Sequence, residues 1–211
     1  RLYAQREAAW SADARFSFLR GGALARWLPP GWDADGRGTF SWRGDAFQLR
    51  TFLPRVEGPG ALRLNDVEAQ AYRGGDGVLR FDGGLADLQR GATSFLTQLR
   101  VKGQAQAVSA GWQVTLENAS AQRGDVPLEL RAPFEIASAS NALRWTRSAW
   151  SVGAGGLACA GRWADDLAVD LTWSNFSPRL LAPLGQLEIS GRLGGRVSVR
   201  GTPASPQLDA A

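Results

Sequence analysis

The residue types that carry most enzyme chemistry are rare in this sequence of 211 residues. It has no histidine and one cysteine, Cys159, so it can build neither a Ser-His-Asp nor a Cys-His nucleophilic system, and it can form no internal disulfide. The phosphate-binding pattern G-x-x-x-x-G-K-[ST], the dinucleotide pattern G-x-G-x-x-G and the nucleophile pattern G-x-S-x-G are also absent. We therefore predict that the chain is not an enzyme and that it uses neither a metal nor a cofactor.

Two pairs of carboxylates are close in the sequence, Asp165-Asp166 and Asp33-x-Asp35. Both pairs lie in predicted turns, where Asp is favoured because its side chain bonds to nearby backbone N–H groups. We therefore interpret them as turn residues. Two carboxylates that are distant in the sequence and meet in a cleft, as in a glycosidase, remain an alternative.

Composition places the chain among the all-β proteins. It holds 26 Gly and 10 Pro, yet 44% of its residues are hydrophobic. This is too apolar for a disordered chain and too rich in glycine for a helical bundle. Short strands joined by tight turns explain both features. Helical spacing is confined to 23–28, to 178–184 and to 85–99, where Gly91 interrupts it and the assignment stays open.

The main periodicity of the sequence is two, which indicates strands with one apolar face. In the clearest stretch two apolar rows alternate with small or polar residues: Leu157, Cys159, Gly161 and Trp163, then Leu167, Val169, Leu171 and Trp173. A three-residue loop at 164–166 would place Trp163 opposite Leu167. Because opposed residues project to the same side, both rows would then share one face of a hairpin.

The same rule predicts a second hairpin 30 residues further on. Its loop would be Gly194–Arg196, and its two rows would be Leu187, Ile189, Gly191 and Leu193, then Val197, Val199 and Gly201. Turns at 43–46 and 123–125 indicate similar hairpins upstream. We therefore predict an all-β fold in which 1–211 form one repetitive unit. It would be an elongated, curled, antiparallel-rich sheet, a β-taco or groove-like β-solenoid, with strands of about seven residues and a few short helical turns.

The charge pattern argues against a nucleic-acid partner. The net charge is +4 and the pI is about 10.1, and every basic residue except Lys102 is an arginine. A surface that binds nucleic acid concentrates its basic residues in a patch or along a helix. Here they are spread over the predicted strands and turns, as on a solvated face.

The segment from Leu187 to Leu208, LEISGRLGGRVSVRGTPASPQL, resembles the TamB family of AsmA-like proteins. That family repeatedly uses the phrase G-x-L-x-G-x-[VL]-x-[VL]-x-G-T-x-x-x-P-x-L. The resemblance covers about residues 150–208 and includes the segment 175–184, which follows an alternating strand pair. This copy departs from the phrase in placing Pro203 directly after Gly201-Thr202.

The resemblance implies a periplasmic protein, anchored to the inner membrane through a segment outside this sequence, whose strands curl into a long groove. It also implies a partner, an outer-membrane TamA-like barrel protein, and a cargo of phospholipid or of unfolded outer-membrane protein strands. We predict that the groove is lined by the apolar rows. These are Trp112, Val114, Leu116, Leu128, Leu130, Leu157, Trp163, Leu167, Val169, Leu171, Trp173, Leu187, Ile189, Leu193, Val197 and Val199.

The same rows are compatible with a closed β-sandwich, in which they would form an ordinary core. Such a module would bind carbohydrate or act as an adhesin, with some of the nine Trp residues as stacking platforms. Alternation alone does not separate an open groove from a closed core, because it predicts only which residues share a face.

Overall fold

The computed structural model describes residues 11–18, 30–109, 111–139, 142–177 and 191–211. These residues form one antiparallel sheet of 14 strands. The strands are β1 (Ser11–Phe18), β2 (Asp33–Arg43), β3 (Ala46–Gly58), β4 (Leu62–Arg73), β5 (Leu79–Arg90), β6 (Thr93–Val108), β7 (Gly111–Arg123), β8 (Val126–Leu130), β9 (Phe134–Ala139), β10 (Ala142–Val152), β11 (Gly155–Trp163), β12 (Leu167–Phe176), β13 (Leu193–Thr202) and β14 (Ser205–Ala210).

The sheet is a meander in which each strand pairs with the next strand in the sequence, apart from one shared position. The short strands β8 and β9 together fill the place between β7 and β10. The first half of β7, from Gly111 to Leu116, pairs with β9, and its last residues, from Ser120 to Arg123, pair with β8. In the described part of the chain, β1 and β14 are paired on one side each, so the sheet is open.

The predicted fold class, an elongated and curled all-β sheet, is confirmed. The predicted strand length was wrong, because most strands are longer than seven residues and β6 has 16. Residues 85–99, whose helical spacing left their assignment open, belong to β5 and β6, with Gly91 in the turn at a φ of 63°. A 3₁₀ turn at Pro59–Ala61 is the helical element of the described residues. The helical segments predicted at 23–28 and 178–184 lie outside them.

The hairpin predicted at 157–174 is confirmed. Trp163 pairs with Leu167 across the loop 164–166, and Leu157 pairs with Trp173 at the far end. The predicted turns at 43–46 and 123–125 are confirmed as well, between β2 and β3 and between β7 and β8.

The second hairpin was predicted wrongly. Gly194, Gly195 and Arg196 do not form a loop but lie inside β13, which runs on to Thr202. Gly195 pairs with Trp173 of β12, whose ring occupies the space that a Cβ at position 195 would need. The chain turns instead after Thr202, where Ser205 pairs with Thr202 and begins β14.

Of the two carboxylate pairs that were predicted to lie in turns, one lies in a turn and the other in a strand. Asp165 and Asp166 lie in the loop between β11 and β12, as predicted. Asp33 and Asp35 lie in β2, where they pair with Glu57 and Arg55 of β3, so the prediction of a turn at this pair was wrong. In the described residues no group of three or more potential metal ligands comes together. Among the same residues there is no helix of the length and hydrophobicity that a membrane span requires.

The sheet has few fully buried side chains. The buried hydrophobic residues of the described chain are Ala34, Val56, Leu85, Ala119, Ala121, Val152 and Leu167. Most other apolar residues of the strands are half-buried. A dry interior between two packed sheets would bury its apolar rows almost completely. The described strands therefore expose one apolar face in part, and their main contacts are with their neighbours in the sheet.

Candidate functional site: an apolar face along the sheet

An unbroken row of cross-strand neighbours crosses the sheet from its first strand to its last. Each residue of the row is the cross-strand partner of the next, so all their side chains project to the same side. The row includes one residue from every strand except β8. Between β7 and β10 its member comes from β9, which shares that position with β8. It consists of Ala12, Trp42, Phe47, Arg73, Leu79, Ala105, Val114, Ile136, Trp145, Gly161, Val169, Val199 and Leu208. Twelve of these thirteen residues are uncharged and, glycine apart, apolar. We call this the apolar row.

Parallel rows extend the same face on the side away from the 43–46 turn. Phe40, Leu49, Ala71, Phe81 and Gly103 form a second series of partners that reaches Leu116 and Phe134. At the C-terminal part of the sheet a further series joins Leu130, Trp150, Leu157 and Trp173. The apolar face is therefore several side chains wide as well as thirteen strands long.

Fourteen of the sixteen predicted lining residues fall on this face. Val114, Val169 and Val199 belong to the apolar row itself, and the others belong to the parallel rows. Leu187 and Ile189 lie outside the described residues. The prediction omitted the N-terminal half of the face, although the alternation of Phe40 with Trp42 and of Leu79 with Phe81 carries the same signal.

Two β-bulges keep apolar residues on this face where simple alternation would lose them. On β10, Trp145 pairs with Gly161 and Ser148 with Cys159, so three residues of β10 oppose two of β11. On β7, Leu116 and Asn118 oppose adjacent residues of β6, which leaves Glu117 as the extra residue. A bulge of this kind changes the parity of a strand. As a result Trp145 and Trp150 share a face although they are five residues apart.

Aromatic rings lie over glycines at several places on the apolar face. A Cβ at Gly161 would lie 2.5 Å from Cζ2 of Trp145, and a Cβ at Gly195 would lie 2.5 Å from Cζ2 of Trp173. Phe81 stands in the same relation to Gly103, at 2.7 Å. In each case the two residues are cross-strand partners. Since the rings use the space above the glycines, they lie along the sheet and keep the face shallow.

The opposite face of the sheet is polar. Its central feature is Asp170 of β12, which accepts hydrogen bonds from Ser198 at 2.7 Å, from Arg200 at 2.8 and 2.9 Å and from Arg196 at 3.1 Å. The hydroxyl of Ser198 and the guanidinium groups of Arg200 and Arg196 lower the pKa of Asp170 to about 2. The pKa of Asp76 is also lowered, chiefly by its hydrogen bond with Arg80.

Exposed tryptophans mark one rim of the apolar face. Trp42, Trp112 and Trp163 are 43%, 43% and 53% exposed. Each lies within two residues of a turn at one end of its strand. Trp112 and Trp163 lie two residues closer to this rim than Val114 and Gly161, the members of the apolar row on the same strands. An indole at such a boundary can contact apolar groups with its ring and water with its N–H.

No family model, curated protein or solved structure matches this chain. The resemblance to the TamB family therefore rests on the quoted segment of the sequence.

Proposed function

We propose that this chain is a hydrophobic-groove segment of an envelope protein that conducts phospholipid between the inner and the outer membrane. The observation that carries the proposal is the apolar row, which continues across thirteen strands and is only partly buried. A closed core would need no such continuity between the two ends of a sheet. A conduit for acyl chains does need it, because every gap in the apolar wall would expose the cargo to water.

The energetics of the apolar face favour an acyl-chain cargo. Each CH₂ group that leaves water contributes about 0.8 kcal/mol, so ten of them contribute roughly 8 kcal/mol. The half-buried residues Val169, Leu171 and Val199 offer apolar area that no second sheet covers in the described chain. Acyl chains laid against this area would remove apolar surface on both partners from water.

The geometry also favours movement along the sheet. Adjacent strands are about 4.8 Å apart, so the apolar row is roughly 60 Å long. Successive positions offer similar aliphatic or aromatic contacts, and Arg73 is the exception. A lipid that moves by one strand would exchange one set of contacts for a comparable one. The free-energy barriers to sliding would therefore be low. Such passive movement requires no catalytic step from the described residues.

The cellular setting is part of the same proposal. It comprises a periplasmic location, an inner-membrane anchor outside this sequence and an outer-membrane TamA-like barrel protein as partner, as the TamB resemblance implies. Unfolded outer-membrane protein strands are the other cargo that this resemblance implies. Such strands also carry alternating apolar residues, so they would compete with lipid for the same face.

Carbohydrate binding is a second candidate, which the exposed tryptophans favour. Trp42, Trp112 and Trp163 are the type of side chain on which sugar rings stack. Their strands are separated by five and three strand spacings, about 24 and 14 Å, so they would bind separate sugar units of a long glycan. Binding to a glycan array that is lost in the three Trp→Ala variants would support this candidate.

The test of the proposed function is lipid occupancy of a variant with a charge in the apolar row. Val169→Asp places a carboxylate in the row, on the third strand from its C-terminal end, whereas the adjacent change Ala168→Asp places one on the polar face, opposite Arg200 and Arg162. We expect co-purified phospholipid, measured by native mass spectrometry, to fall at least severalfold in Val169→Asp. It should be unchanged in Ala168→Asp.

Circular dichroism of both variants tests whether each keeps the β-sheet. The proposal is wrong if the folded Val169→Asp protein carries as much phospholipid as the unmodified chain. It is also wrong if the unmodified chain, purified in mild detergent and offered phospholipid vesicles, carries none.

A further inference from the structure

Arg73 is the one charged residue of the apolar row. It ends β4, where its cross-strand partners are Phe47 on one side and Leu79 on the other. The alternation of β4 places Ala69 and Ala71 on the same side as Arg73 and places Gln70 and Tyr72 on the opposite side. The charge therefore belongs to the apolar face and not to the polar face, where most arginines of the sheet lie.

The guanidinium of Arg73 has no carboxylate partner among the described residues. The nearest acidic residue in sequence, Asp76, forms its ion pair with Arg80 at 2.7 Å. One terminal nitrogen of Arg73 instead lies near Gly77, where an added Cβ would be 3.9 Å away. Arg73 is exposed, so its charge is solvated at the rim while its stem lies between apolar neighbours.

The surroundings of Arg73 are suited to a molecule that is charged at one end and apolar at the other. Next to its partner Phe47 stands Trp42, one of the exposed rim tryptophans. Along β4 away from the rim come Ala71 and Ala69, and Ala71 is flanked by Leu49 and Phe81. Six residues of a strand span about 20 Å, whereas one leaflet of the hydrocarbon core is about 15 Å thick. An acyl chain that begins at Arg73 would therefore fit along β4.

We infer that Arg73 binds the phosphate of a phospholipid whose acyl chains lie on the apolar face, with Trp42 beside the headgroup. The inference rests on the proposed lipid-carrying function and adds to it an orientation, with headgroups at the rim of the 43–46 and 73–79 turns. A guanidinium recognises phosphate through two parallel N–H donors, and an unpaired one has both free for a ligand. Charge complementarity thus selects a phosphate-bearing lipid over a neutral lipid with the same chains.

The test compares two lipids that differ only in the phosphate-containing headgroup. Dioctanoyl phosphatidylglycerol and dioctanoyl glycerol are titrated into the delipidated full chain, and binding is measured by native mass spectrometry and calorimetry. The variants are Arg73→Gln and the matched control Arg50→Gln. Arg50 is also exposed and lies on the opposite face of neighbouring β3, so its variant loses the same unit of charge.

We expect Arg73→Gln to weaken phosphatidylglycerol binding about tenfold, as the loss of a charge-assisted hydrogen bond does. Dioctanoyl glycerol should bind this variant as it binds the unmodified chain, and Arg50→Gln should behave as the unmodified chain with both lipids. The inference is overturned if Arg73→Gln and Arg50→Gln weaken phosphatidylglycerol binding equally. It is also overturned if inorganic phosphate alone binds the unmodified chain as tightly as phosphatidylglycerol does.

Failure of the proposed function gives a different result. If the unmodified chain binds neither lipid, the lipid-carrying function itself is wrong and the inference falls with it. If it binds both lipids and Arg73→Gln changes neither affinity, the function stands and only the role of Arg73 is wrong.

Discussion

The contact between Trp173 and Gly195 shows how a single glycine can shape a strand. The two residues are cross-strand partners, and the indole ring lies where a side chain at position 195 would project. The ring thereby covers backbone that a glycine would otherwise leave exposed. Two adjacent glycines in a sequence usually indicate a turn. Here the aromatic partner on the neighbouring strand explains why Gly194 and Gly195 continue β13.

The two glycines should respond differently to the same substitution. A Cβ at Gly195 would lie 2.5 Å from the Trp173 ring, whereas a Cβ at Gly194 would meet nothing closer than 3.6 Å. We expect Gly195→Ala to lower the free energy of unfolding by about 1–3 kcal/mol, the usual cost of overpacking. Gly194→Ala, the control, should be neutral or slightly stabilising.

Urea denaturation measures both changes. In a Trp173→Ala background the cost of Gly195→Ala should largely disappear, because the ring is gone. An equal cost in both backgrounds would show that the backbone, and not the ring, requires glycine at this position.

Asp170 is a residue at which pH should act on stability. Its folded-state pKa of about 2 lies below the ordinary value of 3.8, because Ser198, Arg200 and Arg196 bond to the charged form. The ionised carboxylate therefore stabilises the folded state. That contribution is fully present above pH about 4 and is lost as the pH falls through about 2.

Replacement of Asp170 by Asn should remove this pH dependence. We expect Asp170→Asn to be less stable than the unmodified chain at neutral pH and to lose less stability between pH 4 and pH 2. Thermal unfolding followed across that range measures the difference. Asp45→Asn, in the exposed turn after β2, should retain the acid sensitivity of the unmodified chain. Parallel curves for Asp170→Asn and the unmodified chain would contradict the assignment.

At the scale of the elements, β14 is the strand with the least protection. All six of its residues are exposed, and Leu208, the last member of the apolar row, is 70% exposed. In the described chain it is paired with β13 alone, so one side of its backbone is free to pair with another strand. Pro206 has no N–H group to donate, so it removes one hydrogen bond that an added strand could make, but the rest of the edge can still pair.

A charge on β14 should reduce association between copies of the chain. We expect Leu208→Lys to lower concentration-dependent association, measured by sedimentation velocity, because it replaces an exposed apolar side chain of the apolar row with a charge. Its unfolding free energy should change by no more than about 0.5 kcal/mol, as for other exposed positions. Ser205→Lys adds the same charge on the polar side and should leave more association. Equal association in both variants would exclude Leu208 as the contact.

At the scale of the whole molecule, the sheet formed by the described residues has no large closed core. The described strands make their main contacts with sheet neighbours, and few of their hydrophobic residues are fully buried. Stability then depends on the sum of neighbouring strand pairs, as in repeat proteins. An open apolar face of this length is also an unusual feature in a monomer, and faces of this kind commonly mark a binding surface. Under the proposed function, lipid covers that surface.

The sequence by itself determined the all-β class and the membership of part of the apolar face. Period-two alternation is a property of neighbouring residues, so Leu167, Val169 and Leu171 could be assigned to one side without knowledge of the fold. The three-residue loop at 164–166 then set the register with β11, because turn length and register are linked in a hairpin. The predicted lining residues of β7 and β8 share this face for a different reason: Leu128 pairs with Ala121, and the bulge at Glu117 brings Ala121 to the same side as Leu116.

Only the tertiary structure decided those features of the sheet that depend on pairing between strands. The bulges on β7 and β10 change parity at single residues and leave no clear mark on local alternation. The continuation of β13 through Gly195 depends on the ring of Trp173, 22 residues earlier in the chain. The position of Arg73 in the apolar row likewise required the registers of β3, β4 and β5 together. Such contacts are not local, so their outcome is settled only when the whole sheet has formed.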